Sequence, residues 1–393
     1  MTPIDRRPIV AILVGHYLPG SKAGGPIRSV ANLVLALGDE FDLRVIAHDR
    51  DLGDTAPYPG VSTDAWTPVG RAQVHYVSPA RANRAGIEAA LTELRPDLVY
   101  CQSYFSPLFS IGPRLLRLRG RLPCPILVAP RGEFSPGALA LKSPKKRLFL
   151  ALSRLLGLDR GVSWHATAPE EAEDIRRTIG PGADILLAPP LPTPDDRPLV
   201  PRPKIPGELE AIFVSRISPK KNLLAAIEIL AEIPGVRLTI YGPKEDAAYW
   251  ETCHARAQEL NVAICEGGVL APEEVRPAFE RGHVFLFPTL GENYGHVVME
   301  ALSAGTPILL SDQTPWRDLR RLGVGWDLSL ADRTGFRAAI EELRAMNQSR
   351  FDALSERAYA LAQARRGDPD TPDANRTLIL RALAKRRVIK RSV

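Results

Sequence analysis

The sequence predicts an α/β protein built from two doubly wound domains, and three observations predict it. Short apolar or β-branched runs alternate with helical-period segments from end to end, which is the pattern of parallel sheets flanked by helices. A chain of 393 residues exceeds what a single core of ordinary size serves. Between two series of such runs, residues 189–206 hold eight prolines, which neither continue a helix nor donate to a ladder, so the segment reads as a stiff linker.

In order, strands are predicted over residues 9–14, 43–47, 74–77, 97–101, 126–129, 163–166 and 184–187, with helices between most of them. After the linker the strands fall at 210–215, 236–241, 262–265, 283–287 and 307–310. The chain from Thr334 is helical in pattern, with one helix over 350–364 and another over 372–384 after the break at Gly367, Asp368 and Pro369. The domains are therefore expected at 1–190 and 208–370, joined by the linker 191–207. Sheets of this kind take ligands beyond the carboxyl ends of their strands, so two facing domains would form a cleft. Residues that follow strands matter most.

Composition narrows the class. Hydrophobic residues make up 45% and charged residues 24%, a globular balance. The four cysteines, Cys101, Cys124, Cys253 and Cys265, form no C-x-x-C pair, so a zinc site and a disulfide framework are both unsupported and a reducing compartment is expected. The start of the chain lacks an export signal, and no run reaches the length of a spanning helix; the expectation is a cytoplasmic protein with at most peripheral membrane contact. A net charge of +6 favours anionic partners: nucleotides, phospholipid headgroups or nucleic acid. No aromatic-basic platform is visible, which leaves nucleic acid unsupported.

After the first strand beyond the linker, the chain reads VSRISPKKNLLAAIEIL. Arg216 follows the strand, and Lys220 and Lys221 precede a helix expected near Asn222. Unpaired N–H groups and the positive dipole end of that helix, an arginine fork and a lysine charge together suit a diphosphate. A solvated basic loop is the plainer reading. Further on, PTLGENYGHVVMEALSAGTP places Glu292 in a loop and Glu300 in a helix beginning near Gly295. Across a helical interval the two carboxylates would lie about 12 Å apart, beyond the separation of a glycosidase acid/base pair. Each glutamate is better assigned to a different part of one extended ligand, with the N–H groups around Tyr294 and Gly295 closing on its oxygens.

Arg216, Lys221, Glu292 and Glu300, in this order and with the Gly295 turn, resemble glycosyltransferase family 4 over nearly the whole chain. SKAGGPIRSV, APRGEFSPGALALK and SDQTPWRDL resemble its bacterial polysaccharide and lipopolysaccharide biosynthesis branch. The resemblance implies the GT-B architecture, with two Rossmann-like domains facing a cleft and a terminal helix, 371–393, returning to the first. It implies transfer of a hexose-type sugar, with retention, from a nucleotide-diphosphate donor to a saccharide or polyprenyl-diphosphate-linked saccharide. It implies no cofactor and no metal. The residues matching Arg216 and Lys221 hold the diphosphate; the one matching Glu292 approaches the sugar, and the one matching Glu300 binds the ribose. Asn293, Tyr294, Gly295 and His296 are expected to contact the donor as well. In SDQTPWRDL, Thr314 and Pro315 read as a helix N-cap and first turn.

On the acceptor side, Gly24 and Gly25 follow the first strand and precede Pro26, a loop able to approach a phosphate closely. Where many family members carry a histidine, this chain has Pro130, Arg131, Gly132 and Glu133. Arg131 is expected to bind donor or acceptor oxygens and Glu133 to orient or deprotonate the acceptor hydroxyl; an ion pair between the two is the structural alternative. His16 and His165 fit structural hydrogen-bonding roles, and Asp49 and Asp51 match a D-x-D metal motif only weakly. Residues 139–156 mix Lys142, Lys145, Lys146 and Arg147 with leucines, and 385–391 is basic; each reads either as a contact with anionic lipid or as ordinary packing with a solvated basic face. Two rival functions share the donor site: a nucleotide-sugar epimerase or hydrolase, and a non-catalytic nucleotide-sugar-binding protein.

Overall fold

The structure is a computed structural model and describes residues 6–140 and 143–385. The basic stretch beyond Lys385 and the neighbourhood of Lys142 lie outside the described residues. The chain divides into two compact units, one formed by residues 1–193 with 369–393, the other by 194–368.

The strands of the first unit are β1 Ile9–Leu13, β2 Asp42–His48, β3 Trp66–Val69, β4 Ala72–Val77, β5 Leu98–Cys101, β6 Ile126–Val128, β7 Ser163–Ala166 and β8 Asp184–Leu187. They form one sheet in the order β3-β4-β2-β1-β5-β6-β7-β8. All neighbouring pairs are parallel except β3 with β4. Strands such as β5 and β6 are apolar throughout because helices cover both sheet faces. β3 is not among the strands expected from the sequence. It is a short edge hairpin strand containing Pro68, a residue that an edge tolerates and that masks a strand signal.

The strands of the second unit are β9 Leu209–Val214, β10 Val236–Tyr241, β11 Ala263–Gly268, β12 Val284–Phe287, β13 Ile308–Ser311 and β14 Gly325–Leu328, in the order β11-β10-β9-β12-β13-β14 and parallel throughout. β14 is likewise unexpected, because its pattern is interrupted by Gly325. A Cβ there would stand 1.8 Å from the carbonyl oxygen of Ile308, so the close backbone approach requires glycine.

The linker expectation needs correction. Residues 194–207 belong to the second unit and are strapped to it. Arg202 is buried and donates to the carbonyls of Phe279, Gly282 and Ala304 and to Thr306 Oγ1. Lys204 donates to the carbonyls of Ile205, Glu208 and Arg344. Prolines here remove N–H donors that the strap would otherwise have to satisfy, while two cations cap carbonyl ends. The helix Asp370–Ala384 packs in the first unit, where Asn375 Nδ2 donates to the Pro189 carbonyl at 2.8 Å and Arg376 pairs with Glu40.

Strand order reverses direction from the first strand of each unit, between β1 and β5 and between β9 and β12. The loops after those strands are where such sheets open a ligand crevice.

Candidate functional site

In the second unit, both predicted donor segments follow strands at that reversal. After β9 the chain passes Arg216, turns at Pro219–Lys221 and enters the helix Leu223–Leu230 through Asn222, which sits in left-handed backbone at φ 58°. The Asn222 amide anchors this entry by donating to the Pro288 carbonyl at 2.8 Å. After β12 the chain runs from Thr289 to Gly295 and enters the helix His296–Ser303.

The two loops are stitched together. Leu290 N–H and Thr289 Oγ1 both donate to the Lys220 carbonyl, at 2.9 and 3.1 Å. Lys221 Nζ then meets Glu292 Oε2 at 2.5 Å. Burial pushes the Glu292 carboxyl up, but the Lys221 ammonium outweighs it and, with Lys220 nearby, holds the group below the usual carboxylate range. Glu292 is thus an anion fixed against a cation, and the Asn293 N–H donates to its other oxygen at 3.2 Å.

Gly295 completes the turn at φ 79°, which a side chain rarely adopts, and a Cβ would press on Glu292 Cγ and Val298 Cγ2 at 3.1 Å each. The loop is pinned from the next strand. Ser311 Oγ donates to the Thr289 carbonyl, and the Trp316 indole donates to the Tyr294 carbonyl at 2.6 Å. Tyr294 packs edge-on to His296, and burial pushes its hydroxyl up to about 12, so it stays neutral. Glu300 lies on the helix His296–Ser303.

Arg216 is 38% exposed and pairs with Glu245 at 2.9 Å. One expectation about this region changes. Thr314 and Pro315 do not begin a helix, since the helix runs Leu319–Leu322 with Asp318 at its cap. Thr314 Oγ1 instead accepts from the Trp316 N–H, a local turn that seats the buried indole under Tyr294.

In the first unit, Gly24 holds φ 71° at the cap of the helix Gly25–Leu37. Asp51 secures this loop by accepting from the N–H groups of Ser21 and Lys22, and Asp49 pairs with Arg50. Both aspartates are spent on structure, and among the described residues no group of three His, Cys, Asp or Glu side chains could hold a metal ion.

Arg131 and Glu133 do not form an ion pair. Arg131 sits at φ 54° and Gly132 at φ 76°, in a turn closed by Glu133 N–H to the Pro130 carbonyl. Left-handed backbone at a non-glycine residue costs about 1–2 kcal/mol and persists where the surroundings enforce it. Glu171 supplies part of that by accepting from the Gly132 N–H at 2.7 Å. Arg131 directs its guanidinium at Gln102 Oε1, at 2.6 and 3.0 Å. Glu133 is held within the fold. Its carboxylate accepts from Ser103 Oγ and from the N–H groups of Tyr104 and Phe105. Burial pushes its pKa up, yet both oxygens are engaged.

His165 is buried between the Tyr100 hydroxyl, which meets Nδ1, and the Ala188 carbonyl, which lies 2.7 Å from Nε2. Burial and the Arg131 charge push it down to about 3. His16 contacts the Arg50 carbonyl at 3.0 Å through Nδ1. Gln102, the partner of Arg131, was not singled out from the sequence, although its position immediately after β5 was the available signal. Glu245 carried none, because its partner lies 29 residues away.

With this geometry in hand, comparison with known proteins is specific. A family model described as glycosyl transferases group 1 matches residues 200–359, and one described as a glycosyl transferase 4-like domain matches residues 24–190. The lipopolysaccharide core biosynthesis glycosyltransferase LpsE of Rhizobium meliloti is 28% identical over 170 residues, which is 43% of this chain and 46% of that protein. The match thus spans under half of that relative. Sucrose-phosphate synthase from Thermosynechococcus elongatus superposes with a TM-score of 0.74 at 17% identity, covering 96% of this chain and 100% of that one. HepE from Anabaena, solved with UDP and glucose, gives 0.66 at 13% identity, covering 96% and 100%. These structures are similar in fold.

Proposed function

Because the chain belongs to the group 1 glycosyltransferases, with the GT-B fold and a relative in lipopolysaccharide core biosynthesis, we propose that it transfers a sugar, with retention, from a nucleotide diphosphate. The acceptor is a saccharide or a lipid-linked saccharide of the cell surface. The observation that carries this reading is the Lys221–Glu292 pair at the strand-order reversal, locked to the glycine turn of the following helix. A cation and the amino end of a helix suit a pyrophosphate, and a fixed carboxylate suits sugar hydroxyls. The UDP bound in HepE, a protein similar in fold, supports a nucleotide donor.

In this reading Arg216 leaves Glu245 to grip the diphosphate with Lys221, Glu300 takes the ribose hydroxyls, and Glu292 faces the sugar. The acceptor oxygen attacks the anomeric carbon from the face the diphosphate leaves. The new C–O bond forms as the bond to the phosphate oxygen breaks, and the acceptor proton passes to that oxygen. Charge grows on the phosphate as the bond opens, so Lys221 and Arg216 bind the transition state more strongly than the donor. Arg131 binds acceptor or donor oxygens, and Gln102 holds it in place. No metal is required, since side-chain cations neutralise the leaving group.

A panel of nucleotide sugars tested for protection against thermal unfolding examines the donor side, because a ligand of the native state alone raises its stability. One nucleotide class should protect wild type and fail to protect Lys221→Ala. Protection by none would overturn the proposal. Turnover of the donor without any acceptor would favour an epimerase or hydrolase, and binding without turnover a non-catalytic protein.

A further inference from the structure

The second unit holds a cavity of about 320 Å³ beside Gly325 and Trp326, at the start of β14. All strands of this sheet run parallel, so the cavity lies at their amino ends, whereas Lys221 and Glu292 sit in loops that follow carboxyl ends. The two places share no residue. Three helices build the cavity. Leu319–Leu322 contributes Arg320 and Arg333–Ala345 contributes Glu342. The helix Gln348–Arg366 contributes Arg350, Leu354 and Arg357, whose spacing puts them on one helix face.

Floor and rim differ in chemistry. Trp326, Met346 and Leu354 are buried and make the floor apolar, while the three arginines are exposed, with Glu342 as the one carboxylate among them. Arg357 Nε donates to the Gly323 carbonyl at 3.1 Å. A Cβ on Gly323 would stand 2.7 Å from that nitrogen, so glycine, here at φ 67°, leaves room for the guanidinium. Among the described residues no carboxylate pairs with Arg350 or Arg357, and Arg320 meets Glu342 at 3.4 Å, a loose contact. The Trp326 indole N–H is buried and has no acceptor, which is rare in native folds. Guanidiniums without acids and a donor without an acceptor both suit oxygen atoms that the chain does not supply.

We propose that this cavity binds a monosaccharide phosphate, at a place separate from the donor segments. Guanidinium forks on the rim match phosphate oxygens. Glu342 accepts from sugar hydroxyls, which a bare anion lacks, and the Trp326 floor packs against the apolar face of the sugar ring. Small-molecule sites span about 300–1,000 Å³, so this one, at the lower bound, seats a single sugar with its phosphate and is too small for a nucleotide sugar.

Titration calorimetry of the full chain with the monophosphates of glucose, galactose and mannose, against the free sugars and inorganic phosphate, tests this. At least one sugar phosphate should bind about tenfold more tightly than its free sugar or inorganic phosphate. Arg350→Gln should weaken that binding about tenfold, as expected for loss of a hydrogen bond between charged groups, and Glu342→Gln should weaken it several-fold. Neither side chain is buried, so circular dichroism should remain that of wild type. The indole N–H resonance of Trp326, identified by its loss in Trp326→Phe, should shift with the same midpoint as the heat. Arg216→Ala should leave the affinity unchanged, which separates this cavity from the donor segments whatever nucleotides do there. Binding of none of the sugar phosphates, or equal binding of inorganic phosphate, overturns the proposal. So does undiminished affinity in Arg350→Gln, a Trp326 resonance that does not move, or loss of binding in Arg216→Ala.

Discussion

Lys221 Nζ stands 2.5 Å from Glu292 Oε2 and thereby joins the loop after β9 to the loop after β12. The pair belongs to two segments 71 residues apart in the sequence, so its geometry depends on how the sheet brings their strands together. Removing one partner strands the other in a site with little water.

Lys221→Ala should therefore destabilise the second unit by about 3 kcal/mol, the usual cost of breaking a mostly buried pair. Glu292→Gln in the same background should recover part of this. A double-mutant cycle followed by urea unfolding should give a coupling of about 1–3 kcal/mol; strictly additive effects would refute the assignment. The Glu292 pKa is depressed on folding, so its contribution is complete above the ordinary carboxylate value of about 4.3 and is lost as pH falls through the lower folded value.

Arg216 and Glu245 are 38% and 42% exposed, so their ion pair adds well under about 1 kcal/mol of stability. Glu245→Gln should leave unfolding unchanged and tighten nucleoside diphosphate binding by a few-fold, since it releases the guanidinium. Arg216→Ala should weaken the same binding by about 1.5–3 kcal/mol, the range for hydrogen bonds to charged groups. Titration calorimetry with both variants decides it, and equal affinities in all three proteins would remove Arg216 from the site.

Gly295→Ala places a methyl group against Glu292 and Val298 in backbone that disfavours it. A stability loss of about 1–2 kcal/mol is expected. Displacing Glu292 should also lower kcat/KM by at least tenfold, whereas Gly291→Ala, with its nearest contact at 3.7 Å, should do much less. Steady-state kinetics on the two variants compares them directly.

His165 supplies a pH dependence in the first unit. Its folded pKa, about 3, lies below the unfolded value of about 6.5, so the unfolded chain binds more protons between them and stability falls as pH drops through that window. Between about pH 7.5 and pH 5.5 this group should remove about 1.4 kcal/mol. His165→Gln loses hydrogen bonds at neutral pH but should show a flatter decline, measured as the shift of the urea midpoint with pH. Parallel slopes in both proteins would contradict the assignment.

Strand positions were legible in the sequence wherever apolar residues ran together, as in 9–14 and 126–129, because a doubly covered sheet needs side chains on both faces to be apolar. β3 and β14 escaped notice through Pro68 and Gly325, residues whose use is positional. At the site, Lys221, Glu292 and Gly295 were legible because cations before a helix and glycine at a turn have local physical meaning. The partners of Arg216 and Glu133 were not, since hydrogen bonds to Glu245 and to the N–H groups of Tyr104 and Phe105 follow from tertiary proximity. The strap at 194–207 was misread for the same reason: proline content records the absence of N–H donors and says nothing about where Arg202 finds carbonyls.

The helix Asp370–Ala384 lends Leu378, Ile379 and Ala382 to a core whose other members lie between Val10 and Leu191. During synthesis, at about 5–20 residues per second, the amino-terminal sheet must therefore wait with an open apolar seam while the whole of 194–368 is made. That later, uninterrupted segment has every strand it needs and can fold first, so order of manufacture and order of folding are reversed. Nascent chains stalled before residue 370 should accordingly recruit holding chaperones to the earlier half, and release them once the closing helix emerges.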